Sequence, residues 1–313
     1  MSIEKKIIKN KLLAPMTSFK IGGLAKFFIE AKNAEEVKDA ILWANMKKEK
    51  IIFFSGGSNI LINDTKIDCL IIKLSDTNLL INNNELICGS GLSLARVVII
   101  AVDRNLTGLE WAIGIPGTVG GAVYGNAGAF GKSMATIVKN IVVYDIKNNI
   151  FSTFSNKQCR FGYRDSIFKQ TDNLIIVKIH LILKNNLPEK IKELIKKYIS
   201  YRNATQPKGF SAGSIFKNLT FDYVKSINPD LASQAKKAGI TNNKVSASWV
   251  IDKLGLKNKQ IGGAKVSEKH AGFIINTDQA KAKDVINLIN FIKQEAKTKY
   301  NINLEEEIQY LGF

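Results

Sequence analysis

The sequence predicts an α+β protein, and two observations support that prediction in a chain of 313 residues. Near the N-terminus, the segments KFFIEA, NAEEVKDAILWANMKKEK and IIFFSGGSN have the patterns of a strand, a helix and a strand. Further along, short β-branched runs such as CLIIKLS and ELICGSG precede an amphipathic helix, and strand-like segments return at 137–145, 150–154 and 174–183.

The helices of the N-terminal half carry start signals. Asn33 and Glu36 form a plausible capping pair at the beginning of the first helix. Ser93 is placed to cap the helix SLARVVIIAVDRN. The strand IIFF runs directly into a glycine turn, so we expect that loop to begin at the end of a strand.

A second module is predicted to begin near Tyr201, after the helical segment PEKIKELIKKYISYR. It contains the helix SASWVIDKLG, the strand GFIIN and a long helix from Ala280 to Tyr300, and its tail NLEEEIQYLGF has the pattern of a final strand. The apolar face of the long helix comprises Val285, Leu288, Ile289 and Ile292.

Composition excludes several classes of protein. The net charge of +18 is spread along the chain without a block of like charges, which favours a solvated surface, or an anionic substrate, over a nucleic-acid-binding tail. Cys69, Cys88 and Cys159 lie far apart without a CxxC pair, which favours reduced thiols in the cytoplasm. We expect no signal peptide and no membrane insertion. With two histidines, a multi-histidine metal centre is not expected.

Two glycine-rich stretches are the strongest sign of a ligand. SGGSN occupies 55–59, and GIPGTVGGAVYGNAGAFG at 114–131 holds seven glycines, more than one turn needs. Such runs let backbone N–H groups approach phosphate oxygens. NAGAFGKS has Asn126 where a P-loop needs glycine, and GSGLSL has Leu94 in place of the third glycine of a dinucleotide fingerprint. The stretches therefore predict a phosphate-rich cofactor on an α+β scaffold.

A series of motifs then resembles one family. TSFKIGG, GGSNIL, GLEWAIGIPGTVGGAVYGNAGAFG, CRFGYRDSIFK, AGSIFKN, QIGGAKVSEKHAGFIIN and LEEEIQYLG occur in the order seen in the UDP-N-acetylenolpyruvoylglucosamine reductase family, over roughly Thr17 to Gly312. The resemblance implies an FAD-binding fold of the vanillyl-alcohol-oxidase/PCMH type, followed by a smaller α+β substrate domain. The implied domains are a first FAD-binding subdomain at 1–73, completed by a C-terminal strand at 302–313, and a second FAD-binding subdomain at 74–200. A substrate-binding domain follows at 201–301.

The same resemblance implies the cofactors and the substrate. FAD would be held without a covalent bond, because no histidine lies in either glycine loop, and NADPH would reduce it so that hydride passes to the enolpyruvyl group of a UDP-sugar. The implied FAD-binding residues are Gly56, Gly57, Ser58, Asn59, Ile60, Gly114, Ile115, Pro116, Gly117, Thr118, Gly120, Gly121, Asn126 and Gly128.

Three residues match the catalytic positions of the family. Arg164 would stabilise the aci-carboxylate dianion through its planar guanidinium. Ser214 would protonate the carbanion, with its proton re-supplied by Lys217, Lys208 or water. Glu307 would help to polarise the substrate carboxylate, and its neighbour Glu305 shares its face if this segment is a strand.

The resemblance also assigns four residues to substrate binding. For two of them, a role without a ligand stays open. For Asn218 the alternative is a turn residue and for His270 a surface histidine. Glu306 replaces a usual proline, and alternation predicts that it faces solvent. The residues assigned are Tyr163, Lys217, Asn218 and His270.

The sequence departs from the family pattern at further positions, and two other functions compete with the one that the resemblance implies. Phe210 and Leu219 stand where prolines are usual, and Phe130 stands where some members have tyrosine. The short interval between Arg164 and Ser214 leaves no room for an extra substrate-covering loop, which indicates the shorter subclass. The competing hypotheses are an oxidase of the same fold and a basic nucleic-acid-binding protein, which would lack flavin.

Overall fold

A computed structural model of the chain describes residues 2–240 and 243–313, and the chain forms two compact units. Each unit is assembled from stretches that are separated in sequence. The first unit comprises Met1–Lys11, Ala25–Gly57 and Asp68–Ala204, and the second comprises Leu12–Leu24, Ser58–Ile67 and Thr205–Phe313.

Strands and helices are spread along both units. The strands are β1 (Ile8–Leu12), β2 (Leu24–Ala31), β3 (Ile51–Phe54), β4 (Ile60–Ile62), β5 (Ile67–Leu74), β6 (Leu79–Asn82), β7 (Glu85–Gly89), β8 (Leu106–Thr107), β9 (Gly128–Ala129), β10 (Lys132–Ser133), β11 (Val138–Asp145), β12 (Ile150–Ser155), β13 (Leu174–Ile182), β14 (Lys184–Asn185), β15 (Leu219–Thr220), β16 (Lys244–Val245), β17 (Gln260–Ile261), β18 (Ala264–Val266), β19 (Ile274–Asn276) and β20 (Gln309–Leu311). The helices are α1 (Ala34–Lys47), α2 (Leu94–Asp103), α3 (Val119–Tyr124), α4 (Ile167–Gln170), α5 (Pro188–Thr205), α6 (Phe221–Ile227), α7 (Pro229–Lys237), α8 (Ala247–Lys253) and α9 (Ala282–Tyr300).

The first unit contains two main sheets. One has the strand order β1-β2-β5-β3, and its β3 and β5 run parallel. The other has the order β12-β11-β13-β7-β6, with every neighbouring pair antiparallel. Helix α1 buries Val37 and Ile41 against Leu70 and Ile72 of β5. The two hydrophobic cores of the first unit therefore lie on strands rich in β-branched residues, as the sequence pattern predicts.

The predicted helix starts in this unit are confirmed. The Asn33 side chain accepts the backbone N–H of Glu36 at 2.9 Å, and α1 begins at the next residue, Ala34. The Ser93 hydroxyl accepts the N–H of Arg96 at 3.4 Å at the start of α2. Each cap satisfies a backbone donor that has no partner within its helix.

The second unit has a core of its own, centred on α9. The predicted apolar face of this helix is buried, which confirms the periodicity argument. The helix begins at Ala282 rather than Ala280, and the N–H of Ala282 donates to the Asp64 carboxylate at 2.6 Å. Strands β17, β18 and β19 form an antiparallel sheet in the same unit.

The predicted final strand is shorter than its sequence pattern. Only β20 is a regular strand, and it pairs in parallel with β4, with Gln309 opposite Ile60. The preceding acidic residues meet the chain near Ile215 through isolated pairings instead. The Glu306 side chain is 20% exposed and binds Lys293 at 2.9 Å, whereas that of Glu305 is 72% exposed. The expectation that Glu306 faces solvent is therefore wrong, because strand alternation does not hold in this irregular segment.

None of the helices in the described ranges, 2–240 and 243–313, is long and apolar enough to cross a membrane. Within the same ranges, no group of three or more His, Cys, Asp or Glu residues is arranged to hold a metal ion. Cys69, Cys88 and Cys159 are free thiols and all three are buried.

Candidate active site

The first glycine loop follows β3 and meets the second loop inside the first unit. A Cβ added at Gly56 would lie 2.6 Å from the Cα of Gly117, so glycine is required for this approach. Beside the contact, the hydroxyls of Ser55 and Thr118 are hydrogen-bonded at 2.5 Å. The backbones of the two glycine loops are therefore in direct contact here, without side chains between them.

The last part of the first loop, Ser58 to Ile60, belongs to the second unit. The Asn59 amide donates to the Glu307 carbonyl at 3.2 Å, and the N–H of Gln309 donates to the Asn59 carbonyl at 2.9 Å. One predicted cofactor residue is thus bonded directly to the backbone of the predicted catalytic glutamate. Gly57 has a φ of 63°, which favours glycine at the point where the chain leaves the first unit.

The second glycine stretch turns into α3. Thr118 caps this helix by accepting the N–H of Gly121 at 3.1 Å, and Ile115 and Pro116 lie in the irregular segment before it. Gly120 packs so closely on β7 and its following turn that a Cβ would lie 2.7 Å from the Ser90 carbonyl oxygen. At Gly128 a Cβ would lie 2.5 Å from the carbonyl oxygen of Lys132. These last two glycines are therefore explained by packing within the protein.

Asn126, predicted as a cofactor residue, uses its side chain inside the protein. Its amide N–H donates to the Gly162 carbonyl at 2.7 Å, and its amide oxygen accepts the N–H of Ala135 at 3.0 Å. The residue is buried and has a left-handed φ of 41°. Asn126 therefore fastens the turn that carries Arg164 to the end of α3.

The Arg164 turn is held at several points. The Gly162 N–H donates to the Asp165 carbonyl at 2.9 Å, and the Ser166 hydroxyl donates to the Tyr124 carbonyl at 2.6 Å. Arg164 itself has a φ of 56°, a conformation that is uncommon for residues other than glycine and that recurs at functional sites. Its guanidinium carbon lies 5.5 Å from the centre of the Tyr163 ring. Two predicted site residues are thus in contact in the first unit.

Ser214 lies in the second unit between two backbone segments. It pairs with Phe273 on one side, where the N–H of Ile215 donates to the Gly272 carbonyl at 2.9 Å. On the other side, the N–H of Glu307 donates to the Ile215 carbonyl at 2.7 Å. The structure therefore brings the backbones of Ser214 and Glu307 together, as the motif assignment requires. Gly213 before the serine has a φ of 79° and open space at its Cβ position.

The residues after Ser214 carry the predicted substrate contacts. The Lys217 ammonium forms an ion pair with the Glu305 carboxylate, which is exposed. The Asn218 side chain accepts the N–H of Ala247 at 3.3 Å at the start of α8. Of the three consecutive glutamates, Glu305 and Glu306 are each bound to a lysine, which separates both from the role predicted for Glu307.

His270 is half-buried, in contrast to the alternative of a plain surface histidine. Its Nδ1 accepts the N–H of Gly272 at 3.2 Å and lies 3.3 Å from the Ser248 hydroxyl. Its ring packs edge-on against Phe273 with the ring centres 4.8 Å apart. Burial lowers the pKa of His270, and Lys257 acts in the same direction. The ring is therefore neutral at pH 7, with Nδ1 as acceptor, and it supports the segment that pairs with Ser214.

Arg202 was not predicted from the sequence. It lies in the last turn of α5, and its guanidinium donates to the Trp111 carbonyl at 3.1 Å. Its Cδ would lie 3.0 Å from a Cβ at Gly114, the first glycine of the second stretch. Arg202 is the single arginine of α5, which also has four lysines, but composition alone does not assign it a role.

Two family models match the chain. The model described as FAD binding domain matches residues 25–146, and the one described as UDP-N-acetylenolpyruvoylglucosamine reductase, C-terminal domain, matches residues 206–311. Curated relatives named UDP-N-acetylenolpyruvoylglucosamine reductase include one from Caldanaerobacter subterraneus subsp. tengcongensis, 36% identical over 99% of this chain and 95% of its own length. Another, from Anoxybacillus flavithermus, is 34% identical over 97% and 94%.

A solved structure agrees with these matches. The crystal structure of UDP-N-acetylenolpyruvylglucosamine reductase from Thermus caldophilus superposes with a TM-score of 0.77 and 29% identity, covering 96% of this chain and 97% of that one. Together with the FAD-binding match, this similarity confirms the predicted α+β fold with an FAD-binding domain.

Proposed function

The chain belongs to the UDP-N-acetylenolpyruvoylglucosamine reductase family, and from that premise we propose how its own residues carry the reaction. It is a flavin-dependent oxidoreductase that uses FAD and NADPH to reduce the enolpyruvyl group of UDP-N-acetylglucosamine enolpyruvate to UDP-N-acetylmuramate, in the synthesis of peptidoglycan precursors. The observation that carries the proposal is the pairing of the Ser214 segment with the Glu307 segment.

The two glycine loops of the first unit fit FAD. Their contact at Gly56 and Gly117 has no side chains between the backbones, which suits a ligand with a pyrophosphate. When bound, FAD supplies the redox chemistry by passing reducing equivalents from NADPH to the substrate. In the first unit we also assign Gly57, Gly114, Ile115, Pro116, Thr118 and Gly121 to FAD, with Gly120, Asn126 and Gly128 as residues that shape these loops. The family resemblance likewise assigns Ser58, Asn59 and Ile60 to FAD.

Arg164 is proposed to bind the substrate carboxylate. Reduction leaves negative charge on the carbon beside that carboxylate, and a planar guanidinium can bind both carboxylate oxygens as the charge grows. Tyr163 lies against the guanidinium, and the left-handed turn fixes the direction of the side chain. Arg164 thus acts as a preorganised cation.

Ser214 is proposed to donate the proton to that carbon. A hydroxyl is a weak acid, but the acceptor is a strong carbon base, so the transfer needs above all a fixed position. The pairings with Gly272–Phe273 and Glu306–Glu307 supply this position. The Glu307 carboxyl, on the segment bonded to Ile215, is assigned to polarise the substrate carboxylate.

We assign Lys217, Asn218 and His270 to the UDP-sugar. Lys217 offers a cation whose position is set by Glu305, and Asn218 is fixed at the start of α8. The neutral His270 ring has Nδ1 occupied by the Gly272 N–H, so its Nε2 carries the proton and can donate to a substrate oxygen. The net charge of +18 favours such anionic ligands, and we infer no nucleic-acid partner.

We retain 1–73, 74–200 and 201–301 as the proposed domains. The pairing of β20 with β4 supports a C-terminal strand beside residues 60–62, although both strands lie in the second compact unit. A cytoplasmic location is supported by the three buried free thiols.

The proposed function is tested by the colour and reactivity of the purified protein. It should carry flavin that acid precipitation releases completely, and the enolpyruvyl substrate should reoxidise NADPH-reduced protein in the absence of oxygen. Flavin that stayed with the precipitated chain would contradict non-covalent binding. Reoxidation by oxygen alone would favour the oxidase alternative, and a colourless protein would exclude both.

Gly56→Ala is expected to lower FAD affinity by at least about tenfold, since a Cβ would press on the Gly117 backbone. Gly117→Val is also expected to weaken FAD binding, because a side chain is strained at the Gly117 φ of 112°. Gly125→Ala is the matched control, because its Cβ would lie 3.9 Å from the nearest atom at an ordinary φ of −92°. Fluorescence titration with FAD measures the effect. Equal affinity in all three variants would contradict the assignment of the loops.

His270→Asn and His270→Gln should separate the two roles of the ring. Asn retains an acceptor near Nδ1 but loses Nε2, so KM for the UDP-sugar should rise about two- to tenfold with kcat little changed. Gln reaches the Nε2 position but loses the acceptor at Nδ1, which supports the segment that pairs with Ser214. This variant should therefore lower kcat instead. Because burial lowers the pKa of His270 below 6.5, its contribution to stability is present above that pH and is lost as the pH falls. Wild type should therefore lose more thermal stability than His270→Asn between pH 7 and pH 5, and parallel loss would contradict this account.

A further inference from the structure

Arg202 stands out among the cations of the first unit. Its guanidinium donates to the Trp111 carbonyl at 3.1 Å, and its stem lies against Gly114 at the start of the second glycine loop. The guanidinium carbon is 5.6 Å from the centre of the Phe130 ring. The side chain therefore lies beside the loop that is assigned to FAD.

The positive charge of Arg202 has no protein counter-charge. Among residues 2–240 and 243–313, no carboxylate forms an ion pair with it, and its buried Nε has no hydrogen-bond acceptor. Burial accordingly lowers the pKa of the guanidinium, and Tyr201 only partly opposes the effect. Arg202 is half-buried, and cations that are partly removed from water are normally paired or bind an anionic ligand, because an unpaired charge away from water is costly.

The Phe130 ring lies against this cation, and two further rings hold Phe130 in place. Phe130 stacks on Tyr198 with the ring centres 4.2 Å apart and meets Tyr201 edge-on at 5.2 Å. Phe130 has a left-handed φ of 53°, so the turn directs its ring toward these partners. Stacked faces attract a guanidinium and restrict its rotamers without neutralising its charge. Such an arrangement presents a cation rather than burying it as a structural ion pair.

The identity of the residue agrees with a role in recognition. The chain has 45 basic residues, of which five are arginine, and α5 is otherwise basic through lysine alone. A guanidinium offers several N–H donors in one plane to oxygen anions, which an ammonium cannot reproduce. Arg202 and Arg164 both lie in residues 147–205, between the two matched family models.

We propose that Arg202 binds an anionic oxygen group of the FAD held by the Gly114–Gly128 stretch, and so extends the cofactor site beyond residues 25–146. The inference rests on the proposed function, because it takes FAD as the ligand. Two parts of FAD offer this chemistry, namely the pyrophosphate and the ring oxygens that become negative on reduction.

The experiment compares full-length Arg202→Gln, Arg202→Lys and the exposed control Arg104→Gln. We expect Arg202→Gln to weaken FAD binding about 10- to 100-fold, the usual range for a charged hydrogen bond. Arg202→Lys should recover only part of the loss, and Arg104→Gln should bind within about twofold of wild type, since this arginine is solvated. Dissociation constants come from FAD fluorescence during dilution of the holoprotein.

Two further measurements identify the part of FAD that is bound. If Arg202→Gln weakens the binding of ADP by about the same factor as the binding of FAD, the contact is to the pyrophosphate. If ADP binding is unchanged and the flavin midpoint potential falls, the contact is to the ring. Unchanged FAD affinity and unchanged potential, with a lower unfolding temperature of the variant alone, would overturn the proposal. Failure of wild type to bind FAD would instead contradict the proposed function itself.

Discussion

Ser214→Ala is expected to leave NADPH-dependent bleaching of the flavin nearly unchanged and to slow its reoxidation by the enolpyruvyl substrate by about 10² to 10⁴, the usual cost of removing a positioned acid. The two half-reactions need different groups, because no proton reaches the sugar while NADPH reduces the flavin. The backbone around position 214 is fixed because the Ile215 N–H donates to the Gly272 carbonyl and the Ile215 carbonyl accepts the Glu307 N–H, so alanine should not displace it. The loss therefore reports on the hydroxyl.

Rapid mixing of NADPH-reduced protein with the substrate measures this rate. Ser226→Ala is the control, since this serine is exposed in the same unit and donates to the carbonyl of Tyr223 within its helix. Cysteine at 214 should recover part of the rate, because a thiol is a stronger acid. Reoxidation of the alanine variant at the wild-type rate would mean that Ser214 takes no part in the chemistry.

Arg164→Lys is the second large effect we expect. It should slow the substrate half-reaction by about 10² to 10³, the range found when one donor to a developing oxyanion is removed. Lysine keeps the positive charge, but an ammonium cannot bind two carboxylate oxygens in one plane. The turn held by Asn126 and Ser166 directs the side chain, so a shorter reach cannot be corrected by backbone movement.

Arg160→Lys is a matched control for this variant. Arg160 lies four residues earlier, is exposed, and has a left-handed φ of 46° like that of Arg164. Both substitutions remove a guanidinium from similar backbone, but only one removes it from the proposed site. A loss of the same size in both variants would show that the cost arises from the turn and not from the substrate contact.

Much of the fold could be predicted because its signals are local. The caps at Asn33 and Ser93 and the buried face of α9 depend on residues within a few turns of each other. The family assignment depended on ordered motifs, and the matches to both family models confirm it. The glycine loops could likewise be located, because seven glycines in one stretch exceed what a single turn requires.

Other features depended on contacts between residues that are distant in sequence. The pattern of LEEEI suggested an alternating strand, but Lys293 on α9 holds Glu306 and the regular pairing starts only at Gln309. Asn126 stays a predicted cofactor residue, and only the fold shows that its side chain also binds Gly162 and Ala135. Arg202 could not be singled out at all, since only the folded chain places it against Gly114 and Phe130.

The second unit is assembled from segments that are distant in sequence, and this limits when it can fold during synthesis. Its strand β4 at Ile60–Ile62 has its partner β20 at Gln309–Leu311, and the Asn63 amide donates to the Gly312 carbonyl at 2.9 Å. During synthesis, the apolar segment ILI therefore leaves the ribosome long before its partner exists. Closing so long a loop is entropically costly, and unpaired strand edges are prone to association with other chains. The second unit can be completed only after synthesis has passed Leu311, so residues 60–62 have no strand partner until then.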